Sequence, residues 1–277
     1  MNKTIQVSHF LAAFFFVFAS HAFASSAKTC ASIANMEKKP SQNALTILVD
    51  QTTVVDQNLI DKFKAFAING LAPSTEIKVY TFSAFSQGEY FTKHFSGLID
   101  AELSKEQRYN TPKRQLTIFD RCIQQQGPAM AFQTQKAIDV AMKGARSDLA
   151  KSDIVYSLGK LSESIRSSQA TNKYVVIFSD MLENSATTSF YNRGSVRKIN
   201  INKELNKVIN SGFKADFSGA EVYVMGAGLV SEKGRKRGVY RSPEILQALE
   251  GFWRQWFKNS NAKLMGFGMP ELQTTIR

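Results

Sequence analysis

Two carboxylates, Asp50 and Asp180, each end an apolar run, and each has hydroxyls beside it: Thr52 and Thr53 after the first, Ser179 before the second. Between them, Ser152-Asp153 opens a segment with helical apolar spacing. Oxygen atoms of this kind suit a hard divalent cation such as magnesium, which takes oxygen ligands in an octahedral shell. Asp50 and Asp180 are therefore candidate metal-binding carboxylates. With Glu183 added, the same carboxylates could hold magnesium beside a phosphate, as a metal-assisted phosphoesterase requires. The competing reading makes Asp50 a cap of its own loop, and Thr52 and Ser152 ordinary loop and N-cap hydroxyls.

Other chemistries have less to draw on. His9 and His21 lie in the first 24 residues, which read as a removable leader, so His94 would be the one histidine left for a nucleophile-His site. It lies in an aromatic, Lys-flanked segment and is expected to be an exposed surface residue. Paired histidines and a CxxC are absent, which leaves the usual zinc constellations without ligands. Gly226-Ala227-Gly228 follows an apolar run but lacks the further glycine of a dinucleotide fingerprint. The segment holding Lys233, Arg235, Lys236, Arg237 and Arg241 is a candidate site for an anionic polymer or nucleic acid, with a solvated loop as the alternative. Tyr240 is its one aromatic, so base stacking is weakly indicated.

The elements that would position these residues alternate. Leu45–Val49, Ile77–Phe82, Tyr174–Phe178, Ala220–Met225 and Ala262–Phe267 read as strands, three of them nearly continuous in apolar residues as buried parallel strands are. Helical spacing marks Asp56–Asn69, Ala129–Arg146, Asp153–Ser167 and a segment opened by Ser242-Pro243-Glu244. Gly88–Ile99 suits a short edge strand, and the polar stretch Ala101–Gln126 shows no apolar period. Trp253 and Trp256 share a helical stripe with Leu246 and Leu249, expected to face the core, whereas Phe252 and Phe257 lie off that stripe and one is expected at the surface. The order predicts an α/β, Rossmann-like doubly wound sheet, mostly parallel, with ligands at the carboxyl ends of its strands. Asp50 and Asp180 both fall there.

The strand ending Asp50-Gln51-Thr52-Thr53, the helix start at Ser152-Asp153 and the strand ending Ser179-Asp180 together resemble the von Willebrand factor A-like (vWA) fold. That resemblance implies a cation-dependent adhesion site in which Asp50 and Thr52 match the first two ligands, Ser152 the loop hydroxyl and Asp180 the late carboxylate. The last serine of the family's motif falls on Val54, which offers no oxygen, so the site is a degenerate one with at most a weakly held magnesium. The resemblance further implies a non-catalytic binding or scaffolding module.

Composition and the amino terminus bear on where such a module works. Lys3, the apolar run Phe10–Ala19 and Ala22-Phe23-Ala24 read as a secretory signal peptide over residues 1–24, cut after Ala24. The run is shorter than the roughly 20 residues that cross a bilayer core. An amino-terminal arm over 25–43 and a vWA-like domain over 44–277 follow, expected as a soluble periplasmic or secreted protein without a transmembrane segment. Its two cysteines, Cys30 and Cys122, are expected to form a disulfide in an oxidising compartment. The full chain's formal charge of +12, which falls to +11 without Lys3, draws such a protein toward anionic surfaces, with lysines scattered for solubility as the alternative. The expected partner is another protein of the cell envelope or of an exported apparatus.

Overall fold

Five runs rich in β-branched and aromatic residues do form five consecutive strands of one sheet. The computed structural model describes residues 25–26, 29–83, 91–146, 151–193, 195–229 and 242–276; the leader 1–24 and the basic segment 233–241 lie outside these. In chain order the main elements are β1 (Ser25–Ser26), α1 (Cys30–Ile33), β2 (Asn43–Asp50), α2 (Gln57–Asn69), β3 (Thr75–Phe82), β4 (Thr92–Ile99), α3 (Lys105–Asn110) and α4 (Lys113–Lys143). They continue with α5 (Ile154–Ser167), β5 (Asn172–Phe178), the two-residue strands β6 (Tyr191–Asn192) and β7 (Ser195–Val196), α6 (Ile201–Asn210), β8 (Ala220–Met225), α7 (Pro243–Asn259) and β9 (Ala262–Phe267).

The sheet runs β1-β4-β3-β2-β5-β8-β9, and every neighbouring pair is parallel except β3 with β4. Alternate residues of the inner strands serve two cores. Leu45, Ile47, Val49, Val176 and Phe178 pack with α2 and α4, while Leu48, Val175 and Ile177 pack with α5, α6 and α7. A doubly wound, mostly parallel α/β architecture is what the alternation of elements predicts.

The antiparallel β4 has a consequence for the helices. It delivers the chain to the amino edge of the sheet, and the next helix on that route must return it to the carboxyl edge before α5 can descend. That return is α4, 31 residues and about 46 Å long at 1.5 Å per residue. An eight-residue strand spans only about 26 Å, so α4 overhangs the sheet. Over the sheet it buries Met130, Thr134, Ala137, Ile138, Ala141 and Met142; in the overhang Phe119 is buried against Cys30, Ala31 and Ala34 of the arm. The polar stretch 101–126 therefore contains α3 and the first half of α4, not an irregular connection. Its helix lacks an apolar stripe because half of it has no sheet beneath it.

Three further expectations change. Phe252 and Phe257 are both fully buried, because α7 is covered on two sides: Phe190 meets Phe252 at 4.9 Å between ring centroids, and Phe217 meets Phe257 at 5.7 Å. Trp253 and Trp256 are core residues as expected. The edge segment is a full eight-residue strand with Phe95, Leu98 and Ile99 buried. His94 is half-buried, 2.9 Å from Thr81 Oγ1, and burial holds its pKa below the ordinary histidine value.

Cys30 and Cys122 form the disulfide, tying α1 to the overhang of α4 with Cα atoms 5.5 Å apart. Beside it the Cys30 amide and Gln126 Nε2 both donate to Asp100 Oδ2 at 2.7 Å, and the Asp100 amide donates to Gln126 Oε1 at 2.8 Å. The bond closes a loop across a sequence separation of 92, worth about 4–5 kcal/mol in the chain-entropy account. Replacing both cysteines by serine should lower unfolding free energy by about 2–5 kcal/mol in a denaturant titration without changing the native circular dichroism spectrum. An unchanged midpoint would mean that the arm and α4 are held without the bond.

Candidate functional site

From β2 the chain moves to β3 on one side, and from β5 it moves to β8 on the other. Adjacent strands whose connections part in this way leave a crevice at their carboxyl ends. The register pairs Val49 with Phe178, so the residue opposite Asp50 is Ser179, with Asp180 one position further out.

Asp50 is fully buried, and three donors meet it. Oδ1 accepts from the Thr52 amide at 2.8 Å and from Thr52 Oγ1 at 2.6 Å, and Oδ2 accepts from Ser179 Oγ at 2.7 Å. Burial raises its pKa all the same, outweighing the hydrogen bonds that favour the carboxylate. Thr52 Oγ1 stands 3.4 Å from Ser152 Oγ. Asp50, Thr52, Ser152 and Ser179 thus form one polar chain across three segments. Asp180 adjoins it by another route: its amide donates to Thr53 Oγ1 at 3.3 Å, and its Oδ1 accepts from the Leu182 amide at 2.9 Å.

Backbone contacts fix this chain in place. The amide of Ser152 donates to Asn184 O at 3.3 Å and the amide of Asn184 to Ser152 O at 3.0 Å, joining the loop before α5 to the loop after β5. Ser179 Oγ accepts from the Met181 amide at 2.9 Å, and Trp253 Nε1 donates to Met181 O at 2.8 Å. The Gly228 amide donates to Asp180 O at 2.9 Å. Gly226 has φ +96°, and a side chain there would put its Cβ 3.2 Å from Ser179 O. A glycine lets β8 turn this close to β5.

Glu183 lies just below this edge, fully buried, with Oε2 accepting from the Val155 amide in the first turn of α5 at 2.9 Å. Burial pushes its pKa up to about 8; the amides of Val155 and Ile154 and the nearby Ser185 hydroxyl pull it down, and the charge of Asp153 adds to the rise. At neutral pH the group is mainly a carboxylic acid.

Geometry therefore brings Asp50, Thr52 and Ser152 together, with Asp180 beside them and Val54 exposed at the loop tip. Ser179 and Thr53 read in the sequence only as hydroxyls beside the carboxylates, and Asn184 does not stand out by type or spacing. No cluster of three or more His, Cys, Asp or Glu able to hold a metal exists among the described residues. Both oxygens of Asp50 are committed to donors within the chain, and Val54 supplies none. A magnesium here would have to complete its shell from water or from another chain. Among the described residues no helix is long and apolar enough to cross a membrane.

The class defined by this architecture is a doubly wound, mostly parallel α/β protein with a hydroxyl- and carboxylate-lined switch point. No family model matches the chain, and no curated protein matches it. Among solved structures it is similar to the human COPII-coat protein Sec24c, with 9% identity and a TM-score of 0.33, over 84% of this chain and 30% of that one. The chain thus spans less than a third of that structure's length.

The buried acid gives a pH signature. Its folded pKa, about 8, exceeds the ordinary 4.5, so its contribution to stability is full below pH 4.5 and is lost as pH rises through 8. Glu183→Gln should gain on wild type by about 1.4 kcal/mol per pH unit inside that window. Denaturant midpoints of the two proteins that stay parallel from pH 4.5 to 8 would show that Glu183 folds ionised.

Proposed function

We propose that the chain is an exported vWA-like module that binds a protein of the cell envelope or of an exported apparatus through the loops at the carboxyl edge of its sheet. The observation that carries the reading is the polar chain Asp50-Thr52-Ser152-Ser179 at the switch point, capped by Asp180 and by the exposed Val54. Thr52 and Asp180, partly exposed on a rigid edge, can meet a partner's basic or hydroxyl side chains, with Val54 supplying apolar contact. The disulfide and the lack of a described membrane-crossing helix are compatible with export.

A phosphoesterase would need carboxylate oxygens free to grip a cation. Here Asp50 gives both of its oxygens to Thr52 and Ser179, and Glu183 sits below the edge as an acid. Binding is accordingly favoured over hydrolysis. Any magnesium at Thr52, Ser152 and Asp180 is weakly held and strengthened by a ligand that the partner donates.

Two outcomes are expected. Titration calorimetry of the isolated protein with magnesium should give little or no heat at micromolar metal; a stoichiometric micromolar isotherm would contradict the degenerate site. A photo-crosslinking residue at position 54 should capture a discrete envelope protein in the producing cell, and Thr52→Val or Asp180→Ala should reduce the yield about ten-fold. Capture that is unaffected by these changes, or that arises equally from position 173 at the amino edge, would place the partner elsewhere.

A further inference from the structure

The outward face of α4 carries a pattern that the carboxyl-edge site does not use. Its exposed residues form two groups spaced every three or four positions, Arg114, Ile118 and Arg121 in the overhang and Phe132, Lys136, Val140 and Lys143 over the sheet, joined through Gln125 and Pro128. This is one stripe, about 44 Å long, in which cations and apolar side chains take turns in each of the two groups. Phe132 is 62% exposed, Val140 50% and Ile118 37%, on a helix whose other face is buried in the core.

The stripe is also free of anions. The only carboxylates of α4 are Asp120 and Asp139, and each is paired elsewhere: Asp120 with both guanidinium nitrogens of Arg108 at 2.8 and 2.6 Å, and Asp139 with Lys64 at 2.9 Å. Arg114, Arg121, Lys136 and Lys143 have no ion pair among the described residues.

We propose that this face of α4 is a membrane-surface site, lying on an anionic bilayer with its cations at lipid phosphates and Phe132, Val140 and Ile118 between the head groups. Charge complementarity selects an anionic occupant. The apolar residues select a bilayer over an acidic protein: they stand in single file, separated by cations, and offer no contiguous apolar centre such as a stable protein interface needs. A head-group layer needs none, since each side chain inserts on its own. No described helix can cross a membrane, so the helix would lie on the surface. The carboxyl-edge loops would remain open to a protein partner.

Flotation of the mature, disulfide-bonded protein with vesicles tests this. Vesicles of phosphatidylglycerol in phosphatidylethanolamine should carry the wild type, and wholly zwitterionic vesicles should not. Arg121→Glu/Lys136→Glu should weaken binding at least ten-fold and Phe132→Ser at least three-fold. Lys203→Glu/Lys258→Glu makes the same net charge change on helices of the opposite face and should cost less than three-fold. If the first pair fails to fold, Arg114→Glu/Lys143→Glu takes its place. Equal loss from both charge pairs would mean that a general field holds the protein, and unaltered binding by Phe132→Ser would remove the insertion. Either result overturns the proposal. So would wild type that ignores anionic vesicles yet binds polyglutamate through Arg121 and Lys136, which would assign the face to an acidic protein.

Discussion

The parallel pairing of β2 with β5 at the centre of the sheet is the constraint from which the site follows. Both strands are covered on both faces, so their register is locked by two cores at once. Given that register, Asp50 must face Ser179, and a carboxylate taken wholly out of water must find donors or keep its proton. It finds three donors, one from Ser179 and two from Thr52. Those bonds hold the loop after β2 in the shape that sets Thr52 beside Ser152 and leaves Val54 outside. The buried carboxyl group thus shapes the surface without itself being on it.

The second constraint is topological. One antiparallel strand, β4, reverses the direction of the chain, and a helix longer than the sheet restores it. The overhang of that helix cannot be stabilised by the main cores. A small satellite core, the Asp100–Gln126 hydrogen bonds and the Cys30–Cys122 disulfide hold it instead. Its outer face, with no sheet or helix above it, is where cations and apolar residues alternate toward solvent.

Much of this is legible in the residues. Strand runs such as Leu45–Val49 and Tyr174–Phe178, ending in carboxylates, give the parallel sheet and its carboxyl edge, and the cysteine pair gives the disulfide. The register is not legible, because a strand buried on both faces is apolar throughout and lacks the period-two signal that would align it with its neighbour. Asp180 therefore looks like the partner of Asp50, although Ser179 holds that position. The first half of α4 is hidden for a related reason: with Phe119 and the polar Gln126 its only buried residues, helical apolar periodicity has little to mark, and Gly127-Pro128 resembles a break. Phe252 and Phe257 looked divided between core and surface only because Phe190 and Phe217, distant in sequence, cover the far side of α7.

At the carboxyl edge, rigidity and openness coincide: the loops before α5, after β5 and after β8 are bonded to one another through the backbone and the loop after β2 joins them through Thr52 and Thr53, yet Thr52, Val54 and Asp180 remain reachable from solvent. The central claim is that this edge meets the partner. Hydrogen–deuterium exchange of the purified protein, alone and then mixed with the solubilised envelope of its own cell, tests it most directly. The account predicts slowed exchange in residues 51–56, 151–153 and 180–189. Unchanged exchange in all three segments, with protection confined to other parts of the surface, would contradict it.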